Sequence, residues 1–112
     1  HVAKRLSPST LTAVRYPGLE TDPAHAVAAR QMTRYGTVLG LVFADRSQAD
    51  TFLHHAKLIT QATSFGGVHT TAERRMRWGS DGVAEGFVRL SVGVEHVDDL
   101  LADIDQALEA IA

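Results

Sequence analysis

The chain has 112 residues, of which 45% are hydrophobic and 21% charged, and its formal net charge is −2. These values indicate one folded globular domain with a modest core, and they exclude intrinsic disorder, a strongly basic nucleic-acid-binding surface and attraction to an anionic membrane. The chain contains no cysteine, which excludes disulfides, thiolate zinc sites and a cysteine nucleophile.

The N-terminal part of the chain predicts a short strand followed by a helix. Residues 11–15 alternate like a strand and run into a Pro-Gly turn at 17–18. Asp22 and Pro23 have the chemistry of a helix N-cap and a first helical position, and the alanine-rich run that follows favours helix as far as Arg34. We therefore predict a helix of about three turns.

A buried strand and a second helix are predicted next. Residues 37–44 contain a continuous apolar run, as expected for a strand covered on both faces, and Gly40 within it indicates a close approach to the backbone. Ser47, with Asp50 three residues later, resembles the start of a capped helix. The apolar face of that helix is predicted to hold Ala49, Phe52, Leu53 and Ala56.

The second half of the chain predicts two further strands and a C-terminal helix. Residues 58–60 are predicted as a brief strand, 64–68 as a turn and 79–82 as a loop. Residues 87–92 alternate cleanly as a strand, with Arg89 on the face opposite its aliphatic neighbours. A C-terminal helix is then predicted, because apolar residues follow helical spacing at Val97, Leu100, Leu101, Ile104, Leu108 and Ile111.

The order of these elements predicts a single domain over residues 1–112, folded as an α/β (α+β) two-layer sandwich. About four short strands form one layer, and the helices pack on one face of it. The N-terminus lacks the apolar core of a signal peptide, and no window approaches the roughly 20 apolar residues of a membrane span. We therefore expect a cytoplasmic protein with no membrane partner.

Most of the chemistry that the residue types suggest has weak support. The six histidines show no i, i+4 pair on a predicted helix, so a metal site is not expected. Glycine-rich nucleotide motifs and a serine nucleophile elbow are both absent. An arginine cluster within residues 74–77, followed by Trp78, resembles an RNA-binding patch, but such a cluster is more typical of a solvated turn.

Arg89 is the residue whose placement most needs an explanation. It lies in mid-strand among apolar residues, so its guanidinium should be half-buried, and an unpaired buried charge is costly. The partner is either an internal carboxylate, such as Glu85 or Glu95, or the carboxylate of a substrate bound by the planar guanidinium. Composition and spacing alone favour the internal partner.

Three stretches of the chain form a distinctive combination of motifs in their order and spacing. Residues 14–19 read Val-Arg-Tyr-Pro-Gly-Leu, followed by Asp-Pro-Ala-His at 22–25 and Ala-Arg-Gln-Met at 29–32. Residues 63–67 read Thr-Ser-Phe-Gly-Gly and resemble a Glu-Ser-Leu-Gly-Gly segment, and residues 87–95 read Phe-Val-Arg-Leu-Ser-Val-Gly-Val-Glu. Together they resemble the C-terminal domain of the Cys/Met-metabolism (trans-sulfuration) family of pyridoxal-phosphate-dependent enzymes.

The resemblance implies a fold, a cofactor and a binding site. The fold would be the small C-terminal domain of the type I aminotransferase architecture, and pyridoxal phosphate would be held mainly by a larger domain that this chain lacks. Arg89 would bind the substrate α-carboxylate, the backbone at Ser64 would help hold the same carboxylate, and Thr63 would lie near the distal end of the substrate. Thr63 stands where many members have Glu, and His69-Thr70 stands where many have Glu-Ser, which leaves the choice of substrate open.

The resemblance also implies a reaction for the parent enzyme, which would be a homotetramer. That reaction is γ-elimination or γ-replacement on a sulfur amino acid such as cystathionine, as in cystathionine γ-lyase or γ-synthase, with methionine γ-lyase and sulfhydrylase chemistry left open. Neither Lys4 nor Lys57 lies in the family's Schiff-base motif, so we expect no catalytic residue in this chain and no catalysis by it alone. The alternative is an autonomous α/β binding or dimerisation module in which Arg89 is structural.

Overall fold

Five strands form one sheet in the computed structural model, which describes residues 1–6, 11–79 and 81–111. In chain order the elements are α1 (Val2–Leu6), β1 (Ala13–Arg15), α2 (His25–Gln31), β2 (Val38–Val42), α3 (Arg46–His55), β3 (Thr60–Gln61), β4 (Thr71–Arg74), a short 3-10 helix (Arg75–Trp78), β5 (Phe87–Ser91) and α4 (Val97–Glu109). Among these residues, no helix is both long and apolar enough to cross a bilayer.

The sheet has the strand order β1-β2-β5-β4-β3. The pairs β1–β2, β2–β5 and β4–β5 are antiparallel, and β3 pairs with β4 in parallel. The expected two-layer arrangement is confirmed, but with five strands in place of about four. The additional strand is β4, whose Thr-Ala-Glu-Arg sequence carries no apolar alternation and is a strand because it pairs with β5.

Alternation along the strands directs one face of the sheet toward the helices. Leu41 and Leu90 on this face are fully buried, as are Phe52 of α3 and Ile104 of α4. The same cluster contains Val2, Ala3, Leu6, Leu39, Ala49, Leu53, Ala72, Val88, Leu100 and Ala107. The predicted apolar faces of α3 and α4 are therefore confirmed, except that Val97 at the start of α4 is 36% exposed. The opposite face of the sheet carries the site described below.

The starts of two helices differ from the sequence-based prediction. Asp45, and not Ser47, is the N-cap of α3, because its carboxylate accepts a hydrogen bond from the Gln48 amide at 2.9 Å. Helix α2 begins at His25 and ends at Gln31, so it is shorter than the predicted run from Asp22 to Arg34. The Asp22 carboxylate instead accepts from the amides of Tyr16 and Ala24, both at 2.8 Å, and thereby stabilises the turn after β1.

The strand predicted at 58–60 lies two residues later, as β3. The buried carboxylate of Asp103 accepts hydrogen bonds from three successive amides, those of Lys57, Leu58 and Ile59, at 2.8, 2.8 and 3.3 Å. Those amides are therefore unavailable to a β-ladder. Ser80, in the predicted loop at 79–82, lies outside the described residues.

The close approach predicted at Gly40 is confirmed. A methyl group at this position would lie 2.8 Å from the ring of Phe87 and 3.2 Å from the Cβ of Arg15. Arg15 and Phe87 lie in the strands on either side of β2, since Arg15 pairs with Gly40 and Phe87 with Val42. The missing side chain therefore allows the Phe87 ring to lie across β2.

Candidate functional site

The sheet face opposite the helices carries a row of four residues, one from each of four adjacent strands. The register pairs Arg15 with Gly40, Gly40 with Arg89, and Arg89 with Glu73. Because Gly40 has no side chain, the neighbouring side chains in this row are those of Arg89 and Glu73. This is the face on which the alternation of β5 places Arg89, as predicted.

Arg89 is held from several sides. One terminal nitrogen, Nη2, donates a hydrogen bond to the backbone carbonyl oxygen of Thr63. The ring of Phe65 lies over the guanidinium, with its centroid 4.6 Å from Cζ. The side chain is 20% exposed, and the described residues provide no hydrogen-bond acceptor for Nε or Nη1. The guanidinium therefore keeps free N–H donors in a partly water-excluded position.

Glu73 is the carboxylate nearest to Arg89, but it is engaged elsewhere. It is 3% exposed, and it accepts hydrogen bonds from Arg75 Nη1 at 2.6 Å and from Trp78 Nε1 at 2.7 Å. Its distance to Arg89 Nη2 is 3.8 Å, which is an ion pair without a hydrogen bond. Hydrogen bonds to Asp81 and Glu73 in turn raise the pKa of Arg75.

The internal partners predicted for Arg89 were wrong. Glu85 pairs with Arg74 at 3.0 Å, and Glu95 binds Thr70. Glu73 was not predicted as a partner because residues 71–74 show no apolar alternation that would indicate a strand. The pairing of β4 with β5 is what places Glu73 on the same face as Arg89.

The prediction of a solvated turn for the arginine cluster was also wrong for Arg74. Its side chain is 7% exposed and pairs with Asp50 at 2.9 Å as well as with Glu85. A guanidinium that is already bound by two carboxylates has little capacity left for a nucleic-acid phosphate. The RNA-patch interpretation is therefore not supported by the placement of this residue.

Thr63 and Ser64 lie on an exposed loop that crosses the open face of the sheet. Thr71 Oγ1 donates to the carbonyl oxygen of Ser64 at 2.9 Å, and the amide of Gly66 donates to Ser91 Oγ at 2.8 Å. Gly66 has a φ of 80°, a conformation in which glycine is favoured. The structure thus brings Thr63 into contact with Arg89 and places Ser64 next to it in the chain.

A second network holds the end of this loop. Glu95 accepts hydrogen bonds from the amide of Thr70 at 2.8 Å and from its hydroxyl at 2.7 Å, and the same hydroxyl oxygen accepts from the Gly93 amide at 2.9 Å. Partial burial opposes ionisation of Glu95, but the hydrogen bonds from Thr70 outweigh it, so the pKa of this carboxyl is lowered. The loop is therefore joined to the segment that follows β5.

The described residues do not by themselves fit pyridoxal phosphate. Lys4 and Lys57 are both exposed, and neither lines the cavity of about 250 Å³ between α1, Tyr16 and the residues that follow β5. A Schiff-base lysine requires a pocket that desolvates or orients its amine. The part of the chain that the structure describes also contains no group of three or more His, Cys, Asp or Glu able to hold a metal ion.

Comparison with known proteins gives one consistent family. The model of the family described as Cys/Met metabolism PLP-dependent enzyme matches residues 1–109. The chain is 57% identical over 99 residues to a putative cystathionine gamma-lyase of Streptomyces coelicolor, covering 88% of this chain and 25% of the relative. It is 42% identical over 107 residues to the cystathionine gamma-synthase of Mycobacterium leprae, covering 88% of this chain and 28% of the relative.

The fold has a close counterpart among solved structures. The crystal structure of metB from Corynebacterium glutamicum superimposes with a TM-score of 0.92 at 37% sequence identity, covering 99% of this chain and 31% of that chain. The chain therefore spans only about a quarter to a third of the length of the relatives it matches.

Proposed function

Since this chain belongs to the family of Cys/Met metabolism PLP-dependent enzymes, we propose that it is the C-terminal, substrate-carboxylate-binding domain of a longer trans-sulfuration enzyme. The reaction would be γ-elimination or γ-replacement on a sulfur amino acid such as cystathionine. The names of the relatives, a putative cystathionine gamma-lyase and a cystathionine gamma-synthase, support this class of substrate. A homotetrameric parent and a cytoplasmic location stay predictions.

The main support for the proposal is that Arg89 is held in place while most of its hydrogen-bond donors remain free among the described residues. Its guanidinium is held in place by Thr63 and Phe65, yet its hydrogen-bonding capacity is largely unused by the described residues. The nearest carboxylate, Glu73, is already bound by Arg75 and Trp78. A substrate carboxylate would complete the hydrogen bonding of Arg89 with a charge-assisted, bidentate contact.

Ser64 and Thr63 contribute the border of the proposed site. Both side chains are exposed, and the hydroxyls of these two residues have no hydrogen-bond partner among the described residues. The backbone at Ser64 would help hold the same carboxylate as Arg89, and Thr63 would face the distal end of the substrate. Positioning of the amino acid, and not bond cleavage, is then the contribution of this chain.

Pyridoxal phosphate supplies electron-sink chemistry to enzymes of this kind. The two lysines of this chain lie on exposed surface. The role proposed for the described residues is therefore substrate binding alone.

The proposal is tested by the substitution Arg89→Lys in the full-length protein, assayed with L-cystathionine. Lysine keeps the charge but loses the planar bidentate contact, so KM should rise about 10- to 100-fold, as expected for loss of a hydrogen bond to a charged group. The matched control is Arg30→Lys, at an exposed position of α2, which should leave KM unchanged. A wild-type KM in the Arg89 variant would contradict the role of Arg89 in binding the substrate carboxylate.

The alternative, an autonomous module in which Arg89 is structural, draws on the 3.8 Å ion pair with Glu73. In that case Arg89→Lys would lower the thermal stability and leave substrate KM unchanged. Steady-state kinetics and a thermal unfolding curve of the same variant separate the two roles.

A further inference from the structure

Hydrophobic burial does not explain the position of the Phe65 ring. The residue is 63% exposed, so it gains little from the hydrophobic core. Its one ring contact among the described residues is with Arg89, whose Cζ lies 4.6 Å from the ring centroid. That geometry is within the range of an attractive cation–π interaction, which for a partly desolvated arginine contributes to holding the guanidinium.

Hydrogen bonds on both sides of Phe65 fix its backbone. Before it, the Ser64 carbonyl oxygen accepts from the Thr71 hydroxyl at 2.9 Å, and after it, the Gly66 amide donates to the Ser91 hydroxyl at 2.8 Å. Thr71 and Ser91 are cross-strand partners, so the two anchoring hydroxyls belong to one position of the sheet. The backbone on both sides of Phe65 is therefore anchored to β4 and β5, although the ring itself is exposed.

Arg89 has two different kinds of contact on this loop. Thr63 accepts a hydrogen bond from Nη2 of the guanidinium, and the ring centroid of Phe65 lies 4.6 Å from Cζ. These contacts leave Nε and Nη1 without a hydrogen-bond acceptor among the described residues, and a carboxylate forms its bidentate contact with such N–H donors. Fixing the plane thus removes rotamer freedom that would otherwise be lost when substrate binds.

We propose that Phe65 is a positioning residue for Arg89: its ring holds the guanidinium plane in the orientation that receives the substrate carboxylate. This inference rests on the proposed role of Arg89. The segment that residues 63–67 resemble has Leu at this place, and an aliphatic side chain lacks the ring quadrupole that attracts a cation.

The test uses the full-length protein with L-cystathionine and the variants Phe65→Ala, Phe65→Tyr and Arg89→Lys. Phe65→Ala should raise KM about 3- to 10-fold, in line with the strength of a cation–π contact, with kcat within about twofold of wild type. Phe65→Tyr keeps the ring and should retain the wild-type KM. Val68→Ala is the matched control, because Val68 lies on the same loop and is 62% exposed.

Competition by L-methionine and by L-methioninamide, which lacks the carboxylate, separates positioning from general damage to the loop. Phe65→Ala should weaken inhibition by L-methionine about 3- to 10-fold and leave inhibition by L-methioninamide unchanged. In the Arg89→Lys background, Phe65→Ala should add less than about twofold, since a positioning residue acts through its partner.

The outcomes distinguish the two proposals. If Arg89→Lys raises KM but Phe65→Ala does not, the positioning role is overturned and the proposed function stands. If Phe65→Ala weakens both inhibitors equally, the loop has been disrupted and the positioning role is again overturned. If Arg89→Lys leaves KM unchanged, the proposed function fails, and the role of Phe65 fails with it.

Discussion

Single side chains determine whether the loop over the open sheet face keeps its position. Glu95 is the main example, because its carboxylate binds both the amide and the hydroxyl of Thr70, a residue that is fully buried. The loop that carries Thr63 and Ser64 ends at this residue. A change in the charge of Glu95 therefore affects the site without any direct contact with Arg89.

Glu95→Gln should lower the free energy of unfolding at neutral pH by about 1 kcal/mol, because a charge-assisted hydrogen bond is replaced by a neutral one. The folded-state pKa of Glu95 is lowered from its ordinary 4.5, so its carboxylate stabilises the fold above pH 4.5, and this contribution is lost as the pH falls through the folded pKa. Urea unfolding at pH 7 and about pH 3 should show the difference between wild type and variant shrinking at the lower pH. Glu109→Gln, at the exposed end of α4, is the control. A difference that stays constant with pH would contradict the role given to Glu95.

At the scale of the elements, α4 organises the chain beyond its own apolar face. Asp103 projects from this helix and is 6% exposed. Its carboxylate accepts from the amides of residues 57–59 and from the side chain of Gln106 at 3.0 Å. It therefore fixes the connection between α3 and β3, which determines where the edge strand begins.

Asp103→Ala should destabilise the fold by about 2–4 kcal/mol, because buried backbone amides lose their acceptor. Asp105→Ala on the same helix is the matched control, since its ion pair with Arg5 is largely exposed and should contribute at most about 1 kcal/mol. Chemical denaturation of both variants measures the difference. Equal effects of the two substitutions would show that the Asp103 contacts do not stabilise the connection.

Element boundaries were less predictable from the sequence than element types. The type of α3, β5 and α4 followed from apolar periodicity, which is a local property. The cap of α3 did not, because Asp45 and Ser47 are both good N-cap residues and only the geometry of the preceding turn selects the first. Asp22 is likewise a good N-cap residue, but in the fold its carboxylate accepts a hydrogen bond from the backbone amide of Tyr16.

At the scale of the whole molecule, the sheet has one covered and one open face. The open face carries exposed apolar side chains, with Phe65 63%, Trp78 57% and Val38 37% exposed. Such a surface, next to charged residues, is typical of a face that contacts another protein surface. An exposed apolar face of this kind is consistent with the proposal that the chain is one domain of a longer enzyme.

The 112-residue chain on its own should therefore self-associate through this face. Static light scattering across a concentration series should give an apparent mass that rises above the 12.1 kDa of the monomer. Trp78→Ser should shift the rise to higher concentration, whereas Val27→Ser, at a 47% exposed position of α2, should not. A monomer mass at every concentration would argue against an apolar interface on the open face.

Properties that depend on local periodicity and on motif could be predicted from the residues alone. These are the helix-facing residues of β5 and α4, the close approach at Gly40, the face on which Arg89 lies, and the family resemblance. Alternation and helical spacing are encoded in neighbouring residues, so they could be predicted without knowledge of the fold.

The groups that surround Arg89 depend instead on the pairing of distant segments in the fold. Strand β4 exists through its pairing with β5, and that register places Glu73 beside Arg89. Thr63 is 26 residues from Arg89 in the chain, and its contact depends on how the loop crosses the sheet. Such contacts are set by strand order and register, which no local pattern encodes, because many distant residues compete for the same partner.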